Sequence, residues 1–174
     1  PVVHGGMIAY PFDVARDMLE FLHNLNADAP DELTVLAGLT HARDGSGAKL
    51  AAIVPCHCGP AKEASAALER IRSFGTPVMD ALGPISYSAL NQIFDPGVPK
   101  LDLYYWKSCF VEELSDEVIA ALQEQFTHCP STRTKIFIEY FHGAAVRPEP
   151  AAMAYPHRTS GYSILIITQW TDPA

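Results

Sequence analysis

ELTVLAGLTHARDGSGAKLAAIVPCHC, residues Glu32 to Cys58, decides the fold. Two apolar runs, Glu32–Ala42 and Lys49–Cys58, flank DGSG at Asp44–Gly47. Glycine, serine and aspartate supply the backbone freedom and local hydrogen bonds of a tight turn, so the stretch predicts a β-hairpin. A helical pattern lies on either side. Upstream, Val14, Met18, Leu19, Phe21, Leu22 and Leu25 recur at helical spacing, with Asp13 placed to cap the start. Downstream, AKEASAALERIRSFG reads as an amphipathic helix that stops at Gly75. GGMIAYP before the first helix and TPVMDAL after the second predict short strands. The order strand–helix–strand–strand–helix–strand is ferredoxin-like, with helices on one face of an antiparallel sheet.

The remaining chain extends this α+β plan. SYSALNQIF predicts a short helix ended by Pro96–Gly97, and LDLYYWKSCF a strand. SDEVIAALQEQF is a helix capped by Ser115, with Asp116 and Glu117 in its first turn. IFIEYFHGAA (Ile136–Ala145) and GYSILIITQW (Gly161–Trp170) are strands, for about seven in all. On β-strands alternate side chains share a face. Ile136, Ile138, Tyr140 and His142 therefore oppose Phe137, Glu139 and Phe141. Tyr162, Ile164, Ile166, Thr168 and Trp170 oppose Ser163, Leu165, Ile167 and Gln169.

The chain has 174 residues, enough for one domain with a substantial core. Its net charge of −8, from 12 Lys+Arg against 20 Asp+Glu, excludes a phosphate-neutralising nucleic-acid binder and speaks against an anionic membrane surface. No apolar run is long enough to span a bilayer. Cys56, Cys58, Cys109 and Cys129 lack metal-ligand spacing and read as inert thiols of a reducing cytoplasm. No Gly-rich phosphate loop, Ser elbow, HExxH or CxxC is present. Pro1 is not an initiator, and the chain reads as a segment of a longer protein.

GGMIAYP, DELTVL, CHCGPAKEASAAL, SYSALNQIFD, YYWKSCFVEELSDE, AYPHR and GYSILIITQW occur in the order seen in berberine-bridge-like flavin oxidoreductases. The chain resembles, along nearly its whole length, the part of those enzymes that covers the flavin and supplies the substrate pocket. The resemblance implies a single substrate-binding, flavin-capping domain over residues 1–174 of a longer flavoprotein. FAD would then be held by another domain of the same parent, outside Pro1 and Ala174. Such a protein removes a hydride from a small organic substrate, and this chain alone is expected to be inactive. An uncovered sheet face would also offer a surface for a second copy of the chain. The alternative is a free-standing ferredoxin-like protein, either a small-molecule binder or a cofactor-free enzyme.

By the same resemblance, Tyr140 matches a polar position that faces the flavin and is the candidate for accepting a proton. His142 and Ser163 are candidate substrate-binding residues, as are Tyr105 and Lys107 of the aromatic YYWKS stretch. In plant relatives a carboxylate can stand at the position of Ser163, and a serine cannot replace it as a base without an activator. Tyr140 and Ser163 are expected together on the helix-free face, on neighbouring strands. Each residue also has a structural reading: Tyr140 as a core ring, His142 bonded to a carbonyl, Ser163 as a small packing residue, and YYWKS as core. His157 and Arg158 are expected to organise a loop.

Overall fold

The computed structural model describes residues 1–172. Nine strands form one sheet in which every pairing is antiparallel. The predicted hairpin is β3 (Leu33–His41) and β4 (Lys49–His57), paired without interruption from Leu33 opposite His57 to His41 opposite Lys49. In its turn the Asp44 carboxylate accepts from the Ser46 N–H at 2.9 Å, and Gly45 and Gly47 take positive φ. The strand order is β5–β2–β4–β3–β8–β9–β7, with β2 at Ile8–Pro11, β5 at Met79–Asp80, β7 at Leu103–Val111, β8 at Lys135–Phe141 and β9 at Gly161–Trp170. Its first four strands interleave as a ferredoxin-like unit, and β8, β9 and β7 continue the sheet from the outer side of the hairpin.

Two strands were not anticipated from the sequence. GGMIAYP does not begin the chain's pairing: β1 (Val2–Gly5) precedes β2 and pairs with β4 and with β6 (Gly83–Ser86). Gly5 and Gly6 break the two strands apart because backbone passes too close for a side chain. A Cβ on Gly5 would sit 2.2 Å from the Pro55 carbonyl oxygen, and one on Gly6 2.1 Å from that of Ala81. TPVMDAL contributes only the two residues of β5.

Three long helices gather on one face. They are α1 (Ala15–Ala27), α2 (Ala61–Arg72) and α4 (Asp116–Thr127). Asp13 does not cap α1; it lies in a preceding 3-10 turn, and no side chain caps the helix. α2 ends at Arg72, three residues before Gly75, and Arg72 ties the helix to β5 through Asp80 at 2.7 Å. Ser115 caps α4 as predicted, accepting from the Val118 N–H. Met18, Leu19 and Leu22 of α1, Leu68 and Ile71 of α2, and Ile119 and Phe126 of α4 bury against the odd-numbered positions of β3 and β4 and the even-numbered ones of β8 and β9. The five-residue α3 (Tyr87–Asn91) sits on the other face, where Leu90 packs with Val3 and Val54. Among the described residues no helix is long and apolar enough to cross a membrane.

Candidate functional site

The register of the sheet settles which side chains share the face opposite the long helices. Leu36, Glu139, Ser163 and Phe110 lie in one row across β3, β8, β9 and β7. The next row is Gly38, Phe137, Leu165 and Ser108. Beyond it Lys135, Ile167 and Trp106 lie together. Phe94, in the segment after α3, packs on Phe137 at 5.0 Å between ring centroids. This aromatic pair borders two cavities. One, of about 240 Å³, is lined by Glu139, Ser163, Trp106 and Leu165; the other, of about 370 Å³, by Gly38, Ala52, Val54, Arg43 and Lys135. At the upper end of the face the loop after β8 folds back. His157 stacks on Phe110 at 4.3 Å, and Arg158 donates to the Ala145 carbonyl at 2.6 Å, so both residues organise the loop.

Tyr140 does not reach this face, which corrects the orientation expected for it. Its Cα partner on β9 is Tyr162, and it packs with the helix-side core. Its ring lies 4.8 Å from that of Tyr162 and stacks on His142 at 5.1 Å. His142 Nε2 is 2.9 Å from the Leu33 carbonyl oxygen and donates to it, so the imidazole pins the end of β8 to β3. Ser163 does face the open side, but its partner across the strands is Glu139, not Tyr140. The physical reason is the two-residue period: Tyr140 and Glu139 are consecutive and must point apart. Tyr105 and Lys107 are also separated from Ser163. They oppose Thr168 and Ile166 on the other side of the sheet, where both are exposed, whereas Trp106 lines the smaller cavity.

Glu139 is the residue that the sequence reading passed over. Its carboxyl makes no hydrogen bond or ion pair with any described residue. Solvent reaches its side chain, yet the surrounding apolar groups strip enough hydration to raise its pKa above the ordinary 4.5. A carboxylate within an apolar strand was the available signal. It is the only charged residue of IFIEYFHGAA.

The helix side treats its polar groups differently. The Tyr162 hydroxyl accepts from Asn26 Nδ2 at 3.4 Å and lies 3.2 Å from His23 Nδ1. Burial first, and then Tyr140, raises the Tyr162 pKa, and the bond from Asn26 works against that. Cys56 is half-buried with its thiol pushed up by burial, while Cys58 lies beyond the end of β4 and is exposed; all four cysteines are unpaired.

No family model matches the chain. An FAD-linked oxidoreductase of Dictyostelium discoideum is 26% identical over 97% of this chain and 39% of its own length. The solved structure of BBE-like protein 28 from Arabidopsis thaliana has the same fold, with a TM-score of 0.78 at 18% identity, over 97% of this chain and 37% of that one. 6-Hydroxy-D-nicotine oxidase from Arthrobacter nicotinovorans gives a TM-score of 0.76 at 17% identity, over 99% of this chain and 39% of that one. The chain thus spans about two fifths of the proteins it matches. Sequence and fold agree with the resemblance to berberine-bridge-like flavin oxidoreductases that its motifs carry.

Proposed function

We propose that residues 1–174 form the substrate-binding, flavin-capping domain of an FAD-dependent oxidoreductase, in which Glu139 accepts the proton released as substrate is oxidised. The observation that carries this is the unpartnered Glu139 carboxyl beside Ser163 in an otherwise apolar cavity. Desolvation moves a carboxyl toward the pH at which an enzyme operates, which makes it a better base near neutrality. Ser163, directly opposite on β9, can donate to the same substrate hydroxyl or amine. On neighbouring antiparallel strands the Cβ atoms of such a pair lie about 5 Å apart, close enough to hold one functional group.

The chain suits covering a flavin better than holding one. Gly5–Gly6 is consumed by close strand packing, and GSG is the hairpin turn. The start of α4 is occupied by its own Ser115 and Glu117. None of these three segments is free to cradle a pyrophosphate. The apolar open face, with Phe137, Leu165 and Trp106, fits the flat face of an aromatic ring system. When bound by its own domain, FAD supplies the hydride acceptor. This chain would exclude water, orient the substrate and take up the proton at Glu139. Tyr140 and His142 would hold β8 in the register that aims Glu139 outward. The domain's partners are then a small-molecule substrate and the FAD-binding domain of the same protein.

Single-turnover reduction of the flavin in the full-length protein tests this. Glu139→Gln should slow reduction about 100-fold, the lower range for a lost general base, and flatten its dependence on pH. An unchanged rate would remove Glu139 from the chemistry.

A further inference from the structure

The lower end of the open face is cationic in a chain whose net charge is −8. Arg43, Arg133 and Lys135 converge there, around a cavity of about 510 Å³ that adjoins the apolar one beneath Phe94. Their charges are not all balanced. Arg133 pairs with Asp102 at 2.8 Å, and Asp102 also accepts from the Gln169 amide. Lys135 reaches only neutral acceptors, Gln169 Oε1 at 3.0 Å and the Arg133 carbonyl at 3.2 Å. Arg43 makes no hydrogen bond or ion pair among the described residues. Its guanidinium lies over Gly97, where a Cβ would sit 2.5 Å from Nη2. Burial, and then the guanidinium groups of Arg43 and Arg133, hold Lys135 below the ordinary lysine range, with Asp102 opposing.

Two positive charges without anions thus border an apolar cavity, and the nearest carboxylate is already engaged. That arrangement suits a single negative charge on an apolar body, since Asp102 would repel a dianion. We propose that the substrate is an apolar carboxylate, its ring or alkyl body beneath Phe94 and its carboxylate held between Arg43 and Lys135. This rests on the reading of the open face as the substrate face. It adds a length to that reading: Lys135 and Glu139 are four residues apart on β8, about 13 Å at the rise of a strand. The anchored charge and the reacting carbon are therefore at opposite ends of the molecule, on either side of the Phe94–Phe137 pair.

Calorimetric titration of the purified chain with 2-naphthylacetate and with 2-naphthaleneethanol, the same ring bearing a hydroxyl, tests the proposal. The carboxylate should bind at least about tenfold more tightly than the alcohol, as for one charge-assisted hydrogen-bonded contact. Arg43→Met and Lys135→Met should each remove that preference and leave the alcohol unaffected. Arg43 is exposed, so its variant keeps the test valid if Lys135→Met disturbs the Gln169 bond. Lys62→Met, on α2 across the sheet, should change neither affinity. Equal affinities, a preference that survives Arg43→Met, or no binding of either compound would overturn the proposal. Glu139→Gln tests the proposed function separately, through flavin reduction in the full-length protein. A chain without anion preference whose full-length protein still loses turnover on Glu139→Gln would therefore sink this inference alone.

Discussion

On the helix-covered face the Tyr162 hydroxyl meets Asn26 and His23, and the Tyr10 hydroxyl donates to the Ile71 carbonyl. On the open face of the same sheet the side chains of Glu139 and Ser163, neighbours of Tyr140 and Tyr162 in the chain, make no hydrogen bond to any described residue. The two faces are built by the same alternation and differ in what covers them. Under the long helices a polar atom gains from a partner within the fold, because none is available from water, and His41 Nδ1 is the exception that stays buried without one among the described residues. On the open face a polar atom can stay unpartnered at a tolerable cost, and it is then free to meet a ligand. Stability is concentrated on one side, and the proposed chemistry lies on the other.

The comparison breaks most readily at its aromatic residues. Phe126, 1% exposed against the helix side, should cost about 3–5 kcal/mol on truncation to alanine. Phe137, half-buried on the open face, should cost only about 1–2 kcal/mol, in line with its partial burial. Urea denaturation of the two variants measures both, and similar losses would mean that the open face is as much core as the other. Tyr162→Phe sharpens the contrast at a single atom. It leaves Asn26 and His23 without their shared partner, a loss of about 1 kcal/mol by the same measurement. Ser163→Ala, one residue along, should change stability by less than about 0.5 kcal/mol.

The smallest effect has the opposite sign. Burial raises the Glu139 carboxyl above its ordinary 4.5. Between the ordinary and the raised value the folded chain keeps a proton that the unfolded chain has released. Stability therefore falls as pH rises through that window, and the deficit is complete above it. Glu139→Gln should match the unaltered chain below about pH 4, where the carboxyl is protonated in both states, and exceed it at neutral pH. Melting temperatures across that range decide the matter. A variant no more stable at pH 7 would show that water reaches the carboxylate freely.

Much of this was legible because it is local. The β3–β4 hairpin follows from two apolar runs about one turn. The Ser115 cap and α4 follow from one polar residue before a helical pattern, and β9 was read to the residue. The face assignment of β8 was not legible, although its two sets of side chains were. Ile136, Ile138 and Tyr140 on one side and Phe137 and Phe141 on the other are equally apolar, so hydrophobicity could not say which set meets the helices. Pairing with β3 and β9 decides it, and the second of these puts Tyr140 opposite Tyr162. The aromatic YYWKS run hid a similar choice: Trp106 faces the cavity and Tyr105 does not. Arg43 and Lys135 are 92 positions apart in the chain and meet only because β8 lies beside β3.

β7 ends the sheet and pairs only with β9. Its outer row of backbone N–H and C=O groups is an open template, and Leu103, Tyr105, Trp106 and Phe110 are exposed along it. Strands of this kind recruit other strands, and the common defence is a charge placed in the middle of the run. LYYWKSCFV carries one such charge in its nine residues, Lys107, exposed and without an ion pair among the described residues. Lys107 thus stands where a charge opposes edge-to-edge pairing of this strand with another chain.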